Sequence, residues 1–391
     1  MQGVRSGFVI VTVVVALAVA APVVAAVALV DLDEGELLES SAADIPVVSA
    51  DRPLDLLLLD VVQERIARGA LREDGTVPVL SVSSDPGPAL GARELTVREL
   101  LQVLLLTDSR AAARSLTAAI GPGEQRGRAR MRAAACRLGL RRTTIPEDWP
   151  GTPTRTLAHA SVAPAERLAA GTHAVGRRAT TQATIGRAPP TTTVRDVARL
   201  AIAVFTDPAM RRRVALDGVP IANGAIIVRA TAPLVTTILP GTPAITEART
   251  DERGAALVAG TADGLDLLAI ASGPGARQEA RALLAHGLAS YQRIEIVRAG
   301  QPVGREVKVR DGTVPWFSAV AAQSFAVTAP RTRPGALRLM LQLPAVVEAP
   351  LDRAQAIGEL VIAEDTRVIG AVPLVVPLAV APSRWIDTAR E

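Results

Sequence analysis

The chain has 391 residues, 49% of them hydrophobic, so it is long enough for about two domains with apolar cores. Aromatic residues make up only 2%, and the net charge of +4 comes from arginines scattered among acidic residues, which argues against a nucleic-acid-binding surface. The three histidines are far apart and give no ligand spacing, so no metal or other cofactor is expected. The one cysteine, Cys136, lies in an apparent amphipathic helix and is expected to be a small buried core residue.

The N-terminus has the pattern of an export signal. A single arginine, Arg5, precedes an apolar run from Gly7 to Val30 that contains an A-x-A site at 26–28. Cleavage is expected after Ala28, although the run is also long enough to cross a bilayer uncleaved. Residues 1–28 are therefore predicted to be a signal peptide or a membrane anchor. The rest of the chain is expected to be periplasmic or otherwise extracytoplasmic, with any tether to the inner membrane made by this segment.

Residues 29–291 mix strands and helices. "LVDLDEGELLES" (29–40) is typical of a strand, a turn and a strand, and "PLDLLLLDVVQERIARGAL" (53–71) predicts an apolar helix. Thr96 and Glu99 form a T-x-x-E capping box before a helical run, which is followed by the polar break "TDSR" at 107–110 and a second run. Residues 150–192 have no clear period and predict a long surface excursion. Thr193 and Asp196 then predict the start of another helix.

Residues 292–391 have a different character. Short apolar segments bounded by Gly and Pro predict a small all-β domain of the sandwich type. Within it, Leu337, Leu339, Leu341 and Leu343 alternate with polar residues or methionine, the period of a half-buried strand.

The order of these parts resembles the low-molecular-mass penicillin-binding proteins, the serine-type D-alanyl-D-alanine carboxypeptidases. "LTVRELLQVLLLTDSRAAA" (95–113) is similar to that family's LTV-x-DLL-x-GLLLPSGNDAA, and "AITEARTDERGAALVAGTADGLDLLAIASG" (244–273) is similar to its K-T-G region. The resemblance implies an α+β fold: a transpeptidase domain like that of penicillin-binding proteins and β-lactamases, with an antiparallel sheet flanked by helices, and then the small all-β sandwich domain.

The family's chemistry needs three motifs, and the chain departs from all of them. In S-x-x-K, Ser attacks and Lys takes its proton; S-x-N holds the peptide; K-T-G binds the terminal carboxylate. The resemblance places S-x-x-K on Arg52 and Asp55 in one register and on Asp51 and Leu54 in the other. It places S-x-N on Asp108, Ser109 and Arg110, and K-T-G on Thr246, Glu247 and Ala248. The chain's one lysine, Lys308, lies in the β domain and cannot replace either family lysine.

These departures predict that the chain has no catalytic residues of the family type. Arginine stays protonated and cannot act as a general base, and a carboxylate at Glu247 would repel the substrate carboxylate. The charges gained at Arg52, Asp55, Asp108, Arg110 and Glu247 can be interpreted in two ways. They pair and close the former active site, or they are solvated charges on loops.

Three functional hypotheses follow. The first is a pseudoenzyme that binds peptidoglycan or an envelope protein, or acts as a scaffold for one. The second is an active serine-type carboxypeptidase with a substituted nucleophile, for which Ser49, Ser109 and Cys136 are the candidates. The third is a plain structural protein of the envelope that does not bind peptidoglycan.

Overall fold

The computed structural model describes residues 25–48, 51–82, 85–91, 93–150, 190–231, 234–238, 255–273, 275–332, 337–364 and 366–383. The helices are α1 (Asp51–Ala67), α2 (Val97–Leu106), α3 (Arg110–Ala119), α4 (Glu124–Arg137), α5 (Val194–Phe205), α6 (Pro208–Val214) and α7 (Ala276–Ser290). The strands are β1 (Ala26–Asp31), β2 (Glu36–Ser41), β3 (Pro46–Val48), β4 (Thr76–Pro78), β5 (Glu94–Thr96), β6 (Thr191–Thr193), β7 (Gly218–Ile221), β8 (Ile226–Arg229), β9 (Thr236–Ile238), β10 (Ala255–Ala262), β11 (Leu265–Ser272), β12 (Tyr291–Val297), β13 (Pro302–Arg310), β14 (Trp316–Ala321), β15 (Phe325–Pro330), β16 (Leu337–Gln342), β17 (Val346–Glu348), β18 (Ala356–Glu364) and β19 (Arg367–Val375).

A five-stranded sheet of order β2-β1-β11-β10-β9 organises the first part of the chain. Its pairs are antiparallel except for the short parallel pair β9–β10. Successive residues of a strand point to opposite faces, and both faces are apolar here. Leu29 packs with α7 on one face, whereas Ala28 and Val30 belong to the larger core with α1, α2, α3 and α5 on the other. The predicted α+β arrangement, a sheet flanked by helices, is confirmed.

Helix α2 begins where the capping box predicts. The Thr96 hydroxyl accepts the Glu99 backbone N–H, and the Glu99 carboxylate accepts the Thr96 N–H at 2.8 Å. The same carboxylate accepts the Ala222 N–H at 2.7 Å, which ties α2 to the β7–β8 hairpin. Burial alone would raise the pKa of Glu99, but the hydrogen bonds from Thr96 and Ala222 outweigh burial and lower the pKa. Thr193 likewise caps α5 by accepting the Asp196 N–H at 3.2 Å.

The second part of the chain is all β. Its larger sheet has the order β16-β18-β19-β14-β13-β17, and β12 pairs with β15 in a separate two-stranded sheet. Buried residues between them include Val297, Ile362 and Leu374. The predicted sandwich-like architecture is confirmed. Among the contacts with the first part, the Thr328 N–H donates to a Glu34 carboxylate oxygen at 2.7 Å.

Two local predictions are wrong. Cys136 is exposed, because α4 turns Met131, Ala134 and Ala135 toward the core and leaves Cys136 off that face. The strand with alternating leucines, β16, is exposed on both faces instead of being half-buried: Leu339 is 55% exposed and Met340 46% exposed.

The predicted A-x-A cleavage site falls inside a paired strand. Residues Ala26 to Ala28 pair with β11 and with part of β2, and Ala28 is fully buried. A cut after Ala28 would remove three residues of β1 from the central sheet, so this geometry argues against cleavage at that bond. Residues 1–24 lie outside the described part of the chain, and within the described part no helix is both long and apolar enough to cross a bilayer.

Candidate functional site

The candidate site lies where the first turns of α1 meet the junction of α2 and α3. Helix α2 ends at Leu106, and Thr107 is its extended C-cap. Ser109 is the N-cap of α3 and accepts the Ala112 N–H. The break "TDSR" is therefore a tight helix-to-helix junction, as its sequence predicts. It places the side chains of Asp108 and Arg110 beside Arg52 and Asp55.

Asp55 is the centre of the site. Its Oδ2 accepts Nη1 of Arg52 and Nη2 of Arg110, each at 3.0 Å. The Asp55 side chain is fully buried, and that of Arg110 is 2% exposed. Arg110 also donates to the half-exposed carboxylate of Asp108, which lies 3.8 Å from Nη1 of Arg52. Two acids and two arginines thus alternate in one cluster, as the pairing interpretation predicts for these four residues.

Arg52 also holds the end of α2. Its Nη1 donates to the backbone carbonyl of Thr107 at 2.9 Å and reaches that of Leu104 at 3.5 Å. The last carbonyls of a helix lack partners within the helix, and a cation there is favourable. Arg52 therefore donates hydrogen bonds to carbonyl groups at the end of α2 and also pairs with the carboxylate of Asp55.

A loop residue that sequence analysis missed completes the site. Asp85 accepts the Ser109 hydroxyl at 2.8 Å, the Arg110 N–H at 2.8 Å and the Ala111 N–H at 3.1 Å. It also accepts the Gly87 N–H at 3.0 Å. A carboxylate at a helix N-terminus is stabilised by the free N–H groups and by the helix dipole. The signal in the sequence is the turn "DPG" at 85–87, which predicts a turn but not its contact with Ser109.

Gly87 explains why Ser109 is buried. A Cβ built on Gly87 would lie 2.5 Å from the Cβ of Ser109 and 2.7 Å from its Cα, so only glycine allows the loop this close. Ser109 is fully buried as a result. Its hydroxyl donates to Asp85 and accepts from Ala112, which commits it to capping.

The structure does not test several of the other predicted site residues. Thr246, Glu247, Ala248 and Ser49 lie outside the described residues. In the second register, Leu54 is fully buried in the apolar core. The neighbouring hydroxyl of Thr107 donates to the Val103 carbonyl at 2.6 Å. Among the described residues, the cluster is a set of ion pairs that joins the start of α1 to the α2–α3 junction.

Comparisons with known proteins agree with this architecture. The family model described as penicillin-binding protein 5, C-terminal domain, matches residues 291–381. A peptidoglycan synthesis regulatory factor (PBP3) from Streptococcus pneumoniae aligns with a TM-score of 0.64 and 17% identity, covering 91% of this chain and 98% of that one. Penicillin-binding protein 5 from Haemophilus influenzae gives 0.54 and 16%, covering 91% and 97%. The D-alanyl-D-alanine carboxypeptidase DacD from Francisella tularensis gives 0.50 and 16%, covering 92% and 94%.

These matches confirm the predicted resemblance at the level of fold. No curated protein matches the chain by sequence. Identities of 16–17% do not transfer residue roles, so the assignment of Arg52, Asp55, Asp108, Arg110 and the 246–248 segment to lost motifs stays a prediction.

Proposed function

We propose that this chain, which has the fold of the D-alanyl-D-alanine carboxypeptidases and a penicillin-binding protein 5 C-terminal domain, is an exported relative of those enzymes that no longer acylates. In this proposal it acts in the cell envelope as a binding or scaffold protein, with peptidoglycan or an envelope protein as partner. Export is supported by the apolar run that begins at Gly7, of which residues 7–25 precede β1.

The single observation that carries the proposal is the Asp55 cluster. Covalent catalysis by serine needs a nucleophile beside an oriented base. In the register that places that pair on Arg52 and Asp55, both residues are engaged in ion pairs and Arg52 also caps α2. In the other register, Asp51 and Leu54 likewise supply neither a serine nor a lysine. Arg52 cannot take a proton at any physiological pH.

Ser109 is a poor replacement nucleophile. Asp85 lies within hydrogen-bond distance and would be the nearest base, but the same carboxylate is held by three backbone N–H groups. The Ser109 hydroxyl is fully buried under Gly87, so a substrate carbonyl could not approach it without displacing the loop. Cys136 lies exposed on α4 and is not part of this cluster.

We expect the purified protein to sediment with isolated sacculi. A chain with a net charge of +4 could bind an anionic wall without specificity, so the assay is repeated with salt raised to about 1 M, where exposed charges are screened beyond roughly 3 Å. Binding that survives the salt and is competed by soluble peptidoglycan fragments supports the proposal. Loss of all binding in salt would instead favour a plain structural protein of the envelope.

A further inference from the structure

Strand β16 presents an apolar edge to solvent. It is the terminal strand of the six-stranded sheet and pairs with β18 on one side. Three successive side chains are exposed: Leu339 by 55%, Met340 by 46% and Leu341 by 41%. A long, apolar edge strand is a template for pairing with another strand, and proteins usually protect such edges.

The exposure arises because the apolar face of the sheet continues past its covering layer. Leu339 pairs with Ile362 and Leu341 pairs with Leu360 of β18. Paired residues share a face of the sheet, and Ile362 and Leu360 are buried in the sandwich core at 0% and 5% exposure. The core face therefore extends onto β16, where the described residues leave it largely uncovered.

The opposite edge of the same sheet is protected. Strand β17 has only three residues. Its Glu348 pairs with Arg310 at 2.9 Å. Short length and charge are usual means of blocking edge pairing. Strand β16 has six residues, no proline or glycine, and a single charge, Arg338. The two edges of one sheet are thus built differently.

We propose that β16 pairs antiparallel with β16 of a second copy of this chain, forming a continuous sheet across a two-fold axis. The two-fold axis runs perpendicular to the sheet. Directly opposed residues of the two β16 strands then point to the same face of the sheet, so the numbers of the two residues in each pair add up to an even number. An axis at Met340 sets Leu339 opposite Leu341 of the partner subunit and Arg338 opposite Gln342 of the partner subunit.

The sequence of β16 is complementary to itself in this register. Apolar residues meet apolar residues, an arginine meets an amide, and no like charges are directly opposed. A second copy would therefore supply hydrogen-bond partners for the backbone edge that no described strand pairs with, and it would cover Leu339 and Leu341. The interface is small, so a dimer that depends on protein concentration is expected.

Cysteine cross-linking tests the register. The native cysteine is first removed with C136S, and M340C is then introduced. The new cysteine should form a disulfide with the same cysteine of the second copy, because directly opposed Cβ atoms in an antiparallel pair lie about 4.5 to 5.5 Å apart. V368C is the matched control, since Val368 is 58% exposed but lies on β19, two strands from the edge. Efficient disulfide dimers from M340C and not from V368C are expected.

A charge swap tests the pairing itself. M340K and M340E should each weaken dimerisation about tenfold or more by setting like charges opposite each other. An equimolar mixture of the two should recover the dimer, which a misfolded or aggregating variant would not do. Sedimentation velocity measures the fraction of dimer in M340K, in M340E and in their mixture, and V368K serves as the control. A wild-type protein that stays monomeric at its highest soluble concentration, with no M340C cross-link, would overturn the proposal.

Discussion

Replacing Asp55 by alanine should lower the free energy of unfolding by about 3 to 5 kcal/mol, the cost of leaving a buried ion pair with one partner removed. Asp55 is fully buried and accepts from Arg52 and Arg110. In D55A the guanidinium of Arg110, which is 2% exposed, loses its buried counter-charge and retains the half-exposed Asp108. Urea unfolding of the wild type and of D55A measures the difference.

Two further variants make this result specific to the cluster. D44A removes the acid of an exposed pair with Arg195 and should shift the unfolding midpoint much less than D55A does. The double variant D55A/R110A should lose less than the sum of its two single variants, because it removes both members of the buried pair. Equal midpoints for D55A and D44A, or strict additivity, would show that the charges are solvated and not coupled.

Replacing Asp85 by alanine should lower the free energy of unfolding by about 2 to 3 kcal/mol. The variant loses a carboxylate that accepts two N–H groups at the start of α3 and the Ser109 hydroxyl. Hydrogen bonds to charged groups contribute about 1.5 to 3 kcal/mol, and the negative charge favours the helix N-terminus. Thermal and urea unfolding monitored by far-UV circular dichroism measure the loss.

The matched control keeps the shape of the side chain. D85N retains one oxygen acceptor and should fall between D85A and the wild type. G87A probes the same contact from the other side: its Cβ would lie 2.5 Å from the Cβ of Ser109, so we expect a loss of about 1 to 3 kcal/mol from overpacking. If D85A and G87A both unfold like the wild type, the loop does not hold the α2–α3 junction.

Local sequence signals were sufficient where the interaction is local. The Thr96–Glu99 capping box and Thr193 three residues before Asp196 place the starts of α2 and α5 correctly, because each cap acts within one helical turn. The pairing of Arg52 with Asp55 also follows from spacing, since residues three apart lie on the same side of a helix.

Signals that depend on tertiary packing were missed. Asp85 lies 24 residues from Ser109 in the chain, and nothing in "DPG" indicates which helix end its carboxylate will contact. Alternation in β16 correctly identifies a strand, but alternation shows only that one face is apolar, not that another layer covers it. Residue type alone predicts that Cys136 is buried, but the phase of α4 turns this residue outward.

The most direct test of the central claim is acylation of the purified protein by a labelled penicillin, read by intact mass. An active carboxypeptidase with a penicillin-binding protein fold serves as the positive control, and circular dichroism verifies that the protein is folded. We expect no increase in mass. A stoichiometric adduct would contradict the account, and its loss in one of the variants S49A, S109A and C136S would identify the substituted nucleophile.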